Sequence, residues 1–349
     1  MNETPRLTFA SDYMEGAHPR ILERMAQTNF EQTVGYGMDS HTNTAVALIQ
    51  EAVGSHFADV HFLVGGTQAN ATVIGALLRG SDAVIAADTA HINVHEAGAI
   101  EATGHKIITL PAECGKITAK AIESYLEAFY KDDTWEHMSI PAMVYLSLPT
   151  EYGTIYSLKE LEAISNVCKR YSIKLYVDGA RLGYALAVEG NDVTLKDLFR
   201  LCDAFYIGGT KVGALFGEAL VLKNKSLVPN FFSYIKRSGA LLAKGWLLGL
   251  QFETMFADGL YYECGRNGVQ RAMELKTAFE SAGYMPAIDS PTNQQFFELP
   301  NALIDKLSKD VTFEYWGPRG KDFSTVRFVT SWATTTESIE KLKSLLNIF

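Results

Sequence analysis

Two reactive side chains, Asp178 and Lys211, stand at or just after the end of apolar, strand-like runs at residues 175–177 and 204–207. The carboxyl ends of parallel strands meet at one edge of a sheet, so the acid and the lysine are predicted to lie close together. A lysine can bind the aldehyde of pyridoxal 5'-phosphate as a Schiff base, and a carboxylate can keep the cofactor's pyridine nitrogen protonated. Either run alone is commonly a strand with a polar cap, but the pair favours a pyridoxal phosphate site.

A glycine-rich turn follows another apolar run and leads directly into a helical pattern. Its Gly65 and Gly66 would let the backbone approach a phosphate closely, and Thr67 could add a hydroxyl bond. Thr210, next to the lysine, could supply a second hydroxyl to the same phosphate. The turn alone would also suit a simple helix cap, but beside the acid and the lysine it predicts phosphate binding.

His91 and His95 follow a further strand-like run, at residues 83–87. A planar imidazole at a strand end can stack on a pyridine ring and exchange protons near neutral pH. We predict this role for His91, whereas His95 more simply caps or lines the start of a helix. The segment lacks the His-Glu-x-x-His order of a zinc site, so no metal is predicted.

Alternating strand-like and helical patterns make up the elements that must position these residues. Strands are predicted at residues 60–64, 83–87, 106–110, 143–148 and 174–177, and helices at 68–78 and 158–171. This alternation indicates an α/β domain with a mostly parallel sheet flanked by helices. Beyond residue 229, helical stretches at 241–256, 269–280 and 336–346 and strands at 294–299 and 325–329 indicate a second, smaller domain.

Composition excludes several classes of protein. A formal net charge of -9 over 349 residues argues against nucleic-acid binding. No apolar run has the length of a membrane span, and the start lacks the pattern of a signal peptide, so we expect no membrane association and a cytoplasmic location. The four cysteines form no Cys-x-x-Cys pair and are predicted to be buried free thiols.

The motifs, in chain order, resemble those of the threonine aldolase family, within the aspartate aminotransferase-like fold of pyridoxal phosphate enzymes. The similar segments are Ser-Asp at 11–12, Tyr-Gly-Met-Asp at 36–39, Gly-Thr-Gln-Ala-Asn at 66–70, Ala-His-Ile at 90–92 with Glu-Ala-Gly-Ala at 96–99, and Asp-Gly-Ala-Arg-Leu at 178–182. The resemblance implies an N-terminal segment at 1–20 that contributes to the active site, a large domain at 21–235 with a mostly parallel seven-stranded sheet, and a small α+β domain at 236–349.

The resemblance also implies roles for individual residues. Lys211 would hold the cofactor, Asp178 its ring nitrogen and His91 its face. Arg181 would hydrogen-bond the cofactor or the substrate.

Ser11 and Arg327 would bind the carboxylate of a small amino-acid substrate, for which a guanidinium fork is well suited. Strand alternation alone would also allow Arg327 to point to solvent. Tyr36 and residues 236–237 would act across the interface of a homodimer or homotetramer with shared active sites.

The chain departs from the family pattern at several positions, as expected of a divergent branch. Glu151, in Pro-Thr-Glu, stands where the family has the histidine of Asn-Thr-His, near the substrate's β-hydroxyl. A carboxylate could still serve as the base there. Gly65 replaces a serine of the phosphate turn, Tyr13 replaces a threonine, and residues 239–245 lack the family's arginine.

The reaction implied is retro-aldol cleavage of a β-hydroxy-α-amino acid, of the L-threonine or L-allo-threonine type, to glycine and an aldehyde. The same residues would also support β-elimination, racemisation or transamination, and Glu151 in place of histidine keeps these alternatives open. A catalytically idle pyridoxal phosphate-binding relative is a third alternative, against which the presence of the lysine, the acid and the histidine argues.

Overall fold

The computed structural model describes residues 6–348. Its strands are β1 (Leu7–Thr8), β2 (Asp59–Leu63), β3 (Asp82–Ala87), β4 (Lys106–Leu110), β5 (Ile140–Ser147), β6 (Lys174–Asp178), β7 (Ala204–Gly208), β8 (Glu218–Leu222), β9 (Pro286–Ile288), β10 (Gln294–Pro300), β11 (Val311–Thr312), β12 (Glu314–Tyr315) and β13 (Phe323–Val329). Its α-helices are α1 (Pro19–Thr28), α2 (Ser40–Ala52), α3 (Gly66–Leu77), α4 (His91–Val94), α5 (Ala119–Lys131), α6 (Leu158–Arg170), α7 (Leu182–Leu186), α8 (Leu195–Leu201), α9 (Phe231–Arg237), α10 (Trp246–Ala257), α11 (Leu260–Ser281), α12 (Asn301–Leu307) and α13 (Thr336–Ile348).

Seven strands form the central sheet, in the order β2-β8-β7-β6-β5-β3-β4. Strand β8 runs antiparallel to both of its neighbours, and the remaining pairs are parallel. Every residue of β7 and β8 is buried, as expected for inner strands of a sheet that is covered on both faces. The predicted α/β class and the mostly parallel seven-stranded sheet are confirmed.

The predicted strands and helices of the central sheet all occur, with ends shifted by a few residues. The helix predicted at 241–256 begins only at Trp246. The preceding residues form a loop that packs on the chain near Tyr36, whose N–H donates to the carbonyl of Ala243 at 3.2 Å. Sequence periodicity does not reveal this backbone contact, which lies within the part of the predicted helix that is a loop.

Two hydrophobic clusters make up the core. The larger one surrounds the central sheet and extends along the chain as far as Val269 in α11. The smaller one joins the second half of α11 to the antiparallel sheet β12-β13-β10-β9, and includes Phe9 from the N-terminal segment. Helix α11 therefore contributes to both clusters and links them rigidly.

Within residues 6–348, no helix combines the length and the apolar character that a membrane span requires. Three of the cysteines are buried free thiols, as predicted. Cys114 is exposed, contrary to that prediction, because it lies in the turn after β4 at a left-handed backbone position.

Candidate active site

The carboxyl edge of the central sheet carries one cavity in which most of the predicted residues meet. It is lined by the predicted phosphate-binding residues Gly65, Gly66, Thr67 and Thr210. It is also lined by the predicted chemical residues His91, Glu151, Asp178, Arg181 and Lys211. These residues follow the ends of five different strands, so the sheet positions all of them, as expected for a parallel α/β fold.

Three predicted substrate-binding residues lie elsewhere. Arg327 lines a second cavity, which shares Lys211, His91, Arg181 and Glu151 with the first. Ser11 is buried, and its hydroxyl has no hydrogen-bond partner among the described residues.

Tyr36 lines a separate cavity, and its ring centroid is 4.7 Å from Lys236 Nζ. The prediction for His95 was wrong: it follows the end of α4 instead of capping or lining its start, and it lines the cavity of Arg327.

Asp178, the last residue of β6, is buried and accepts hydrogen bonds from several donors. Tyr145 Oη donates to it at 2.6 Å and Asn70 Nδ2 at 2.9 Å, and the hydroxyl of Tyr206 donates to its other oxygen. Burial alone would raise the pKa of Asp178, but these hydrogen bonds lower it below its usual value. The carboxylate is therefore held ionised in a buried site, where it can hold a proton on a bound ring nitrogen.

Glu96 and Asn70 also belong to the site, although they were not predicted from the sequence. Both lie within the segments that resemble motifs of the family. Asn70 Nδ2 donates to Glu96 Oε1 at 2.7 Å, and the same oxygen contacts His91 Nδ1 at 2.7 Å. A carboxylate only accepts hydrogen bonds, so this contact places a proton on Nδ1 of His91. Asn70 thus couples the orientation of the imidazole to the position of Asp178.

Glu151 bonds to the backbone of His91 at the cavity. Its Oε1 accepts from the backbone N–H of His91 at 2.8 Å and from Ser147 Oγ at 2.6 Å. Burial raises the pKa of Glu151, although both hydrogen bonds oppose the rise. The group can therefore exchange a proton closer to neutral pH than an ordinary glutamate.

Arg181 forms a buried, two-pronged ion pair with Asp12. Its Nε donates to Asp12 Oδ2 at 2.6 Å and its Nη2 to Oδ1 at 3.0 Å. Asn293 Nδ2 donates to the same carboxylate at 2.9 Å. Burial and the positive charge of Arg181 lower the pKa of Lys211, which favours the neutral, nucleophilic amine.

Arg327 points into the protein and not to solvent. It donates to Gln294 Oε1 at 2.9 Å and to the carboxylate of Glu314. Its buried Nε has no partner among the described residues. A guanidinium that lines a cavity together with Lys211 is suited to bind a carboxylate.

The start of α3 provides an anion cradle. Its first residue is Gly66, and no side chain caps the helix start, so the first N–H groups of the helix have no partner within the helix. A Cβ at Gly66 would lie 2.8 Å from Tyr206 Oη, so only glycine leaves this approach open. The geometry fits a phosphate of the predicted cofactor.

Glu218, at the start of β8, lines the same cavity and was also missed. Thr210 Oγ1 donates to Glu218 Oε1 at 2.9 Å, so the hydroxyl predicted to bind phosphate directs its proton to this carboxylate. The only sequence signal was a single acid at the start of the apolar run Ala-Leu-Val-Leu.

The fold is that of the aspartate aminotransferase-like enzymes. Aspartate aminotransferase from Thermus thermophilus is similar to this chain with a TM-score of 0.70 at 14% identity, covering 99% of this chain and 92% of that one. At this identity the likeness concerns the fold.

The model of the beta-eliminating lyase family matches residues 8–294, and the chain belongs to this family. It is 30% identical to a low specificity L-threonine aldolase from Pseudomonas aeruginosa, over 96% of this chain and 95% of the relative. It is similar to the structure of threonine aldolase from Leishmania major with a TM-score of 0.95 and 45% identity, covering 99% of both chains. The resemblance inferred from the motifs is confirmed, and the chain is a lyase.

Proposed function

We propose that this protein cleaves a β-hydroxy-α-amino acid, such as L-threonine or L-allo-threonine, to glycine and an aldehyde with the help of pyridoxal phosphate. The observation that carries the proposal is the pairing, in one cavity, of a buried Asp178 held ionised with a Lys211 of lowered pKa. The names of the relatives from Pseudomonas aeruginosa and Leishmania major support the substrate class.

Pyridoxal phosphate, when bound, supplies a ring that accepts the electron pair of the Cα–Cβ bond. Lys211 would hold its aldehyde, Asp178 would keep a proton on its ring nitrogen, and the start of α3 would bind its phosphate. His91, fixed by Glu96, would lie against the ring.

Glu151 would accept the proton of the substrate's β-hydroxyl, and its raised pKa suits that transfer near neutral pH. Arg327 would bind the substrate carboxylate, because the cavity it lines adjoins that of Lys211. These two groups flank the position where the amino acid must lie if Lys211 holds the cofactor. The Cα–Cβ bond would then lie between Glu151, as the base, and the substrate carboxylate bound by Arg327.

The decisive experiment measures aldehyde release from L-threonine and L-allo-threonine by the cofactor-loaded protein, with Lys211→Ala as the matched control. Acetaldehyde and glycine, formed only by the unaltered protein, are the expected products. 2-Oxobutanoate and ammonia would instead identify β-elimination of water, and inversion of the substrate would identify a racemase. Absence of visible absorbance on the protein, after unbound cofactor is removed, would contradict the pyridoxal phosphate site itself.

We also propose a homodimer or homotetramer in which Tyr36 reaches a neighbouring active site, and a cytoplasmic location. Exposed apolar side chains near Tyr36, which include Phe30 and Met38, support an interface there. The four free cysteines support a reducing compartment. Analytical ultracentrifugation tests the assembly, and a monomer with full activity would contradict shared active sites.

A further inference from the structure

Glu218 lies between two of the loops that line the cavity, the one after β2 and the one after β7. In the sheet register, it pairs with Leu63 at the end of β2 and with Gly208 at the end of β7. Leu63 leads into the anion cradle at the start of α3, and Gly208 leads to Lys211. The side chain of Glu218 is buried and lines the cavity that both loops enclose.

The carboxylate of Glu218 is bonded only to neutral donors. Its Oε1 accepts from Thr210 Oγ1, and its Oε2 accepts from the N–H of Gly209 at 3.0 Å. In the part of the chain that the structure describes, no cation lies within ion-pair distance of it. Each oxygen keeps a second lone pair, so the group can also carry a proton.

The charged and titratable groups around Glu218 come from several elements. Asp178 acts on it from β6 and Lys211 from the loop after β7. The neutral tyrosines that interact with it are Tyr176 on β6, Tyr206 on β7 and Tyr261 on α11. Burial raises the pKa of Glu218 to about 8, and Asp178 adds to the rise, although Thr210, Lys211 and Gly209 oppose it.

A phosphate in the cradle would bring up to two negative charges next to this residue. An ionised carboxylate there would repel the phosphate in a medium of low dielectric, whereas a carboxylic acid would donate a hydrogen bond to it. We propose that Glu218 is a proton-dependent phosphate-binding residue, which binds the phosphate in its protonated form by donating a hydrogen bond to it. This inference rests on the proposed function, because the phosphate is that of the cofactor.

The test uses sulfate, a dianion whose own charge does not change between neutral and alkaline pH. Calorimetric titration of the cofactor-free protein gives the sulfate dissociation constant at several pH values. Above the pH at which Glu218 ionises, the sulfate dissociation constant of the unaltered protein should rise with each pH unit. This rise should be about tenfold larger than the rise seen in Glu218→Gln. The amide keeps the shape and a donor but cannot lose a proton.

Glu162→Gln is the control, because it removes a carboxylate on the surface of α6 that pairs with Arg200 and does not line the cavity. It should keep the pH dependence of the unaltered protein. Equal pH dependence in the unaltered protein and in Glu218→Gln would overturn the proposal.

A second measurement does not depend on the folding of Glu218→Gln. In Lys211→Ala, where the lysine cannot contribute, sulfate binding at alkaline pH should still take up about one proton, as measured in buffers of different ionisation enthalpy. Uptake of no proton would overturn the proposal.

Titration with pyridoxal phosphate and with pyridoxal separates this proposal from the function on which it rests. In a Lys211→Ala background, where no Schiff base forms, Glu218→Gln should change the pH dependence of pyridoxal phosphate binding but not that of pyridoxal, which lacks the phosphate. If the unaltered protein binds neither compound, the proposed function fails and the role of Glu218 fails with it. If it binds both and the variant behaves identically, only the role of Glu218 fails.

Discussion

His91 and Glu151 are joined by a hydrogen bond of 2.8 Å, in which the backbone N–H of His91 donates to Glu151 Oε1. The two residues follow different strands, β3 and β5. The hydrogen bond joins the segments that follow these strands at the carboxyl edge of the sheet. Glu151 also lines both the cavity of Lys211 and the cavity of Arg327. The carboxylate therefore borders both cavities, together with His91, Arg181 and Lys211.

Replacement of Glu151 by glutamine should lower kcat by about 100-fold or more, because the amide cannot accept the hydroxyl proton. The visible absorbance of the bound cofactor should be kept. Since burial raises the pKa of Glu151, kcat of the unaltered enzyme should fall as pH decreases through that pKa, and the variant should lack this fall. Steady-state kinetics across pH measures both effects.

Glu162→Gln is the control for this variant, because Glu162 lies on the surface of α6 in an exposed pair with Arg200. It should leave kcat and the pH profile unchanged. If Glu151→Gln kept normal turnover and the same acid limb, another group would have to be the base.

The stability of the cofactor-free protein should also depend on Glu151. Folding raises the pKa of Glu151. Its contribution to the free energy of unfolding is therefore present below the pKa that it has in the unfolded state, and is lost as pH rises through the pKa that it has in the folded state. Glu151→Gln should therefore be more stable than the unaltered protein at neutral pH, by about 1.4 kcal/mol for each pKa unit of the rise, and the difference should vanish in acid. Urea unfolding at both pH values measures the difference, and a gap independent of pH would rule out the linkage.

Asp178→Asn should keep the fold and bind the cofactor but lose turnover by about 100-fold or more. The amide has nearly the same shape, yet it carries no charge to hold a proton on the ring nitrogen. Tyr145→Phe removes only one of the donors to Asp178, so its effect on kcat should be smaller. Comparison of kcat for the two variants checks this order, and near-normal turnover in Asp178→Asn would refute the role of the acid.

Residues at strand ends could be predicted from the sequence because their signal is local. Asp178 and Lys211 each close an apolar run, and Gly66 opens a helical pattern. All of them reached one cavity because parallel strands share an edge.

The partners of these residues could not be predicted, since they depend on contacts between distant parts of the chain. Asn70 meets Asp178 across 108 positions, and Arg181 meets Asp12 across 169. Glu218 reaches the site through the register of an antiparallel strand that was not predicted at all. No periodicity encodes such pairings, so the polar network around the site appears only in three dimensions.

The buried pair of Asp12 and Arg181 should be far more important for stability than an exposed one. Asp12→Ala leaves an unpaired guanidinium in the interior and should lower the free energy of unfolding by about 3–5 kcal/mol. Asp258→Ala is the matched control, because it breaks an exposed pair with Arg20 and should cost at most about 1 kcal/mol. Urea unfolding of both variants measures the contrast. Adding Arg181→Met to Asp12→Ala should recover part of the loss, since the uncompensated charge is then removed; no recovery would show that packing around Asp12, and not its charge, stabilises this region.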